Sequence, residues 1–229
     1  MRKLNRRAAL AVGLGFAGLA ALGWTIADAQ SDDAPTGTDP LTETEVQAAL
    51  AEAQGSGHAE STGLGEDDVV LRVERHEEEK AVEDSAPRRA DVYVYSYDDD
   101  VLTLQVVNVE TGRVDRDEVV PNTQLPLVQE EQDRAIELAM DDPEFAQRLA
   151  TAFRQATGRD LSDVSDDIDV DPIVFRADSN AATPAGARGC GRHRCAQLML
   201  RSTDDFLINL LPVVDLSAGR LVAETGFSS

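Results

Sequence analysis

The chain has 229 residues with 43 acidic against 21 basic side chains, a formal charge of -22. A surface of that sign repels polyanions, so nucleic acid and anionic membranes are excluded as partners held by charge, whereas cationic partners, divalent metals or a saline milieu are compatible. Lysine is confined to Lys3 and Lys80, arginine supplies the remaining positive charge, and a solvated acidic surface is the simplest account of the excess.

Arg2, Lys3, Arg6 and Arg7 precede an uncharged apolar run from Ala8 to Ile26, and the small-residue site Ala27-Asp28-Ala29 follows. This is the three-part pattern of a cleaved signal peptide over residues 1–29. The Arg6-Arg7 pair and the glycines at 13, 15, 18 and 23 fit twin-arginine export, although the bulky residue usual two places after the pair is missing, and the general secretory route is the alternative. The run is also long enough to stay as an anchor, but the cleavage site and the acidic linker behind it favour removal. The expected address is the periplasm or the medium, with no membrane attachment after cleavage. Losing four basic residues and Asp28 moves the charge from -22 to -25 and leaves 200 residues, enough for one large domain or two small ones.

Residues 30–39 are polar, with Pro35 and Gly37, and read as a flexible linker. Thr42 or Thr44 can cap a first helix, with Glu45 three places after Thr42 for a capping box, and the helix ends before Gly55-Ser56-Gly57. Val69, Leu71 and Val73 alternate with more polar neighbours as a half-buried strand does. After a charged connection at Glu77 to Lys80 and Asp84 to Pro87 comes a hairpin. Val92 to Tyr95 and Val101 to Val109 are its strands, Asp98-Asp99-Asp100 its turn, and Glu110-Thr111-Gly112-Arg113 a second turn. Glu118 to Pro121 closes this half. The next helix, Glu130 to Met140, is interrupted at Asp141-Asp142-Pro143, where Asp142 can cap another that carries Phe145, Leu149, Ala152 and Phe153 on one face and stops at Gly158. An aspartate-rich connection, a short strand Pro172 to Phe175 and a small-residue stretch Asp178 to Gly191 lead to a final hairpin, Arg194 to Val222.

The second half echoes the first. Aligned on their acidic turns, Asp99-Asp100 with Asp204-Asp205, the hairpins place Tyr93 and Tyr95 on Leu198 and Leu200, and a two-residue insertion brings Val107 to Arg113 onto Val214 to Arg220. Pro40 to Glu45 matches Pro126 to Glu131, and Ala49, Leu50 and Ala53 match Ala135, Ile136 and Ala139. An internal repeat of this kind fixes architecture, here two units at 40–121 and 126–225.

The order of elements resembles the two small N-terminal domains of copper-containing amine oxidases. The likeness lies in Leu41-Thr42-Glu43-Thr44-Glu45-Val46, Val69-Val70-Leu71-Arg72-Val73, Glu79-Lys80-Ala81-Val82, Arg88-Arg89-Ala90-Asp91-Val92, Val107 to Val114 and Gln129-Glu130-Glu131. It covers residues 40 to 155 well and the rest loosely. The fold it implies is α+β: two cystatin-like units, each a helix packed on an antiparallel meander sheet. Those oxidases hold copper with three histidines, two in a His-x-His pair, and form a quinone from a tyrosine in an Asn-Tyr-acidic motif. The histidines here are His58, His76 and His193, with no such pair, and Tyr97 stands in Ser96-Tyr97-Asp98. The family's large catalytic β-sandwich is not represented. The resemblance therefore implies a non-catalytic accessory part, with copper, quinone and amine chemistry following from homology alone.

The tightest group of reactive side chains is Cys190-Gly191-Arg192-His193-Arg194-Cys195. In an exported protein the two cysteines most simply close a small disulfide loop. The other reading has Cys190, His193 and Cys195 binding copper or zinc, with Met199 as a soft further ligand, but Arg192 and Arg194 oppose cation entry. No cofactor is expected other than copper at this cluster. Asp163, Asp166, Asp167, Asp169 and Asp171 lack the glycine and closing glutamate of a calcium loop and read as a solvated linker. Tyr93, Tyr95 and Tyr97 share a strand face, as a stacking platform or, more commonly, as sheet packing. No nucleophile elbow or phosphate-binding glycine motif is present, and no catalytic residue is assigned. The expected function is an exported binding or accessory module for a protein or small-molecule partner. Metal handling and service as the accessory chain of an amine oxidase are the alternatives.

Overall fold

The computed structural model describes residues 39–55, 68–77, 87–177 and 183–225. The expected signal peptide, nearly all of the linker and His58 lie outside these residues. Among the described residues no helix is long and apolar enough to cross a membrane.

Helix α1 (Glu43–Gly55) is followed by β1 (Asp68–Arg75), β2 (Arg89–Ser96), β3 (Val101–Asn108) and β4 (Arg113–Val119). The second half runs α2 (Gln129–Met140), α3 (Pro143–Thr157), α4 (Val164–Asp167), β5 (Ile168–Val174), β6 (Cys195–Ser202), β7 (Leu211–Asp215) and β8 (Arg220–Thr225). Each half contains one four-stranded antiparallel sheet with strands in chain order, so the fold is α+β.

The helix starts follow from local chemistry. Thr42 Oγ1 accepts from the Glu45 amide at 3.3 Å, and Glu45 Oε2 accepts from the Thr42 amide at 2.8 Å, which satisfies two otherwise orphaned donors of α1. At α2 valine replaces the threonine, and only the return bond survives, from Val128 N–H to Glu131 Oε2 at 3.1 Å. Asp142 Oδ1 caps α3 by accepting from the Phe145 amide at 2.8 Å, Pro143 fills the first position, and Gly158 ends the helix at φ 77°.

Each sheet buries both faces. Ala90, Val92 and Val94 of β2 and Val107 of β3 meet Ala49 and Ala53 of α1. In the second half Ala196, Leu198 and Leu200 of β6 and Val214 meet Ala135 and Ala139 of α2 and Phe145, Leu149 and Phe153 of α3. The opposite face of the first sheet packs Leu71, Tyr95 and Leu102 with Leu125 and Val128 of the connection. That of the second sheet packs Val213 with Ala187, Cys190 and Cys195.

These faces correct the alignment of the repeat. Val92 and Val94, not Tyr93 and Tyr95, occupy the positions of Leu198 and Leu200, because both pairs point at their helices. Aligning on the acidic turn misplaces the strand by one residue, since the first copy has one residue more between strand and turn, and a one-residue slip exchanges the two faces of a strand. The turn match itself holds: Asp100 and Asp205 have φ 54° and 66°, and Gly112 and Gly219 have φ 60° and 62°. The bulge at Val106/Val107 returns at Val213/Val214. A second difference lies in the aspartate-rich connection, which contains α4 and the start of β5 rather than linker alone. Asp163 accepts from the Ser165 amide at 2.9 Å to open α4. The buried Asp167 accepts from Ser162 Oγ at 2.7 Å and from Arg159 at 2.9 Å, so the aspartates there build local structure.

Candidate functional site

Cys190 and Cys195 form a disulfide with Cα atoms 5.5 Å apart, and the loop they close sits over the second sheet. Gly191 takes φ 104° inside this loop, a conformation open to glycine, and the Ala177 amide donates to the Cys190 carbonyl at 3.0 Å. The three residues expected as metal ligands are thus brought together, but with both sulfurs joined to each other. His193 Nδ1 lies 2.8 Å from Asp215 Oδ2, and Arg192 Nη2 donates to Nε2 at 3.3 Å. Met199 is on β6 opposite Asp171, away from the loop. Among the described residues no group of three His, Cys, Asp or Glu side chains is arranged to hold a metal ion.

The same loop delivers Arg194, which is fully buried. Its Nε and Nη2 donate to the two oxygens of Glu131 at 2.8 and 2.7 Å, Nη1 donates to the Leu125 carbonyl at 2.6 Å, and Nη2 also donates to the Pro126 carbonyl at 3.0 Å. The first half repeats this staple. Arg88 Nε and Nη2 donate to Glu45 at 2.5 and 2.8 Å, Nη1 to the Asp39 carbonyl at 3.3 Å, and Nη2 to the Pro40 carbonyl at 2.9 Å. In each copy an arginine just before the second strand of its sheet clamps the proline that opens the helix and the glutamate in its first turn. The Arg88 fork holds the Glu45 carboxyl down at about 2.

Tyr95 and Tyr97 join the two halves. Tyr97 donates to Glu131 Oε1 at 2.7 Å, and its ring meets that of Tyr95 edge-on, with centroids 5.1 Å apart. The Arg194 guanidinium lies 5.7 Å from the Tyr95 ring centroid. Burial pushes both phenols well above their ordinary range, so they serve as donors rather than as bases. The tyrosine stripe is therefore packing at the junction. Beside it opens a cleft of about 410 Å³ whose polar lining includes Tyr95, Asp100, Gln124, Arg176 and Arg192. Tyr95 donates to Asp100 at 3.0 Å, and His193 Nε2 is 3.7 Å from the other Asp100 oxygen.

Among solved structures the chain is similar to a copper-containing benzylamine oxidase from Hansenula polymorpha, with 14% sequence identity and a TM-score of 0.54. The likeness is one of fold. It covers 84% of this chain and 30% of that one, so the chain spans under a third of the enzyme's length. No protein-family model matches the sequence, and comparison with curated proteins finds no match.

What the site does chemically follows from its own side chains. Cysteine, histidine and tyrosine groups are engaged in a disulfide, a His-Asp pair and buried hydrogen bonds, and the open part of the junction is a polar cleft. The sequence reading found the disulfide loop but not the junction built on Arg194, Glu131, Tyr97 and Gln124. A signal for the staple was present, because Pro and Glu recur at 40/45 and 126/131 and an arginine precedes β2 and β6 two residues before the first inward side chain.

Proposed function

We propose that this chain is an exported, non-catalytic binding or accessory module made of two cystatin-like units at about 40–121 and 126–225, akin to the N-terminal domains of copper amine oxidases. Its role is to present a rigid junction to a protein or small-molecule partner. The observation that supports this is the engagement of its reactive groups in structure. Cys190 is bonded to Cys195, His193 is held between Arg192 and Asp215, and the Tyr97 hydroxyl is committed to Glu131. The duplicated Arg-Glu-Pro staple supports the two-unit reading, since both copies fix helix to sheet through the same bonds.

Copper or zinc at Cys190, His193 and Cys195 requires the reduced thiol pair, and this alternative is decided by the same experiment. Protein recovered from the periplasm or medium is analysed by intact mass, free-thiol titration, metal content and benzylamine-dependent peroxide release. The reading expects a chain beginning at residue 30, no free thiol, no stoichiometric copper or zinc and no peroxide. Stoichiometric metal would establish the metal-handling reading instead, and peroxide from the isolated chain would overturn the non-catalytic one.

A further inference from the structure

The cleft at the junction has a charge of the opposite sign to the chain around it. Two arginines, Arg176 and Arg192, and one carboxylate, Asp100, line it, in a chain of formal charge -22. One oxygen of Asp100 is already taken by the Tyr95 hydroxyl at 3.0 Å. Neither Arg176 nor Arg192 has a carboxylate partner among the described residues, whereas Arg72, Arg89, Arg148, Arg154 and Arg159 on the surface are each paired with one. The Arg176 side chain is set against the Gly191 backbone. Gln124 is fixed by two bonds, its amide donating to the Gly191 carbonyl at 3.2 Å and its oxygen accepting from Arg194 at 3.1 Å. The remaining wall is mixed, with Val101, Leu102, Val120 and Pro121 forming an apolar strip beside Asn122 and Thr123.

We propose that this cleft binds a small organic carboxylate, its oxygens held by the guanidinium groups of Arg176 and Arg192 and its carbon skeleton laid against the wall of Val101, Leu102 and Val120. A guanidinium fork matches the planar carboxylate, and a cleft of about 410 Å³ with a few convergent polar groups falls within the range of small-ligand sites. The distributed negative charge of the chain does not prevent this, because at physiological salt it is screened beyond about 8 Å. The inference rests on the binding-module reading and specifies one of its sites.

The test is a titration of the isotope-labelled chain, residues 30–229, with succinate at constant ionic strength, following the amides of Gly191, Ala177 and Asn122 by NMR. Inorganic phosphate and 1,4-diaminobutane are parallel arms, and Arg176→Gln and Arg192→Gln are the variants. Both arginines are exposed, so the variants are expected to keep the wild-type melting temperature. The proposal expects saturable succinate shifts at the cleft, weakened about tenfold in each variant, and none with the diamine. Equal shifts beside Arg113 and Arg220, exposed arginines that also lack a carboxylate partner among the described residues, would overturn it as non-specific screening. So would phosphate binding as tightly as succinate, tighter binding of the diamine, or affinity unchanged in both variants. If succinate fails while the chain still captures a partner protein from the medium, the cleft proposal falls and the module reading stands.

Discussion

Replacing Arg194 by Met keeps the apolar stem and removes the fork that holds the start of α2 and the connection before it to the second sheet. The side chains of Arg194 and Glu131 are 0% and 3% exposed, so no water is at hand to solvate the glutamate that remains. That carboxylate would keep the Tyr97 hydroxyl and the Val128 amide as donors, at 2.7 and 3.1 Å, but would lose both guanidinium bonds, and the Leu125 and Pro126 carbonyls would lose theirs. Breaking one side of a buried pair costs about 3–5 kcal/mol, against a total stability of roughly 5–15 kcal/mol. With a urea slope of about 2–3 kcal/mol/M, the midpoint should fall by about 1–2.5 M. Arg88→Met is the internal control. Its Glu45 partner is 16% exposed, water can partly replace the lost donors, and the loss should be about 1–3 kcal/mol. The double variant Glu131→Met with Arg194→Met removes both charges and should recover most of the deficit. A loss below about 1 kcal/mol for Arg194→Met, or an equal loss for Arg88→Met, would refute the reasoning.

The acid limb of stability should involve Glu45. Because Arg88 lowers its carboxyl from 4.5 to about 2, its contribution is complete above pH 4.5 and disappears as the pH falls toward 2; Glu45→Gln should flatten unfolding free energy over that interval. Opening the Cys190–Cys195 loop by a double alanine substitution should cost about 2 kcal/mol from a five-residue sequence separation, read by urea midpoint, and should broaden the NMR signals of Arg194 and Gln124 first. A Cβ on Gly186 would lie 2.0 Å from the Val222 carbonyl oxygen, whereas one on Gly158 meets nothing within 4 Å and faces only the strain of φ 77°. Gly158→Ala should therefore cost about 1–2 kcal/mol and Gly186→Ala more, and the reverse order of melting temperatures would contradict the packing described.

Much of the chain could be read from residue order because the determinants are local. The capping pair Thr42 and Glu45, the cap and proline at Asp142-Pro143, the stop at Gly158 and the turns at Gly112 and Gly219 each act within a few residues of the backbone they shape. The pairing of Cys190 with Cys195 is short enough to belong to the same class. The register of β2 did not, since Val92 and Tyr93 are both good strand formers and only the helix that covers one face decides between them. Nor did the aspartates at 163 and 167, which look like a solvated run until Arg159 and Ser162 are seen against them.

Sequence by itself indicated most of the element types and favoured the disulfide over a metal site, since those depend on spacing along the chain. Tertiary structure alone decided that Arg194 is buried on Glu131, that Tyr97 crosses to the second half, and that two arginines without a carboxylate partner among the described residues share a cleft with an aspartate bonded to Tyr95. The reason is separation. Arg194 and Glu131 stand 63 residues apart, and Tyr97 and Glu131 stand 34 apart, so their meeting depends on how two sheets and their helices pack, which no local periodicity encodes.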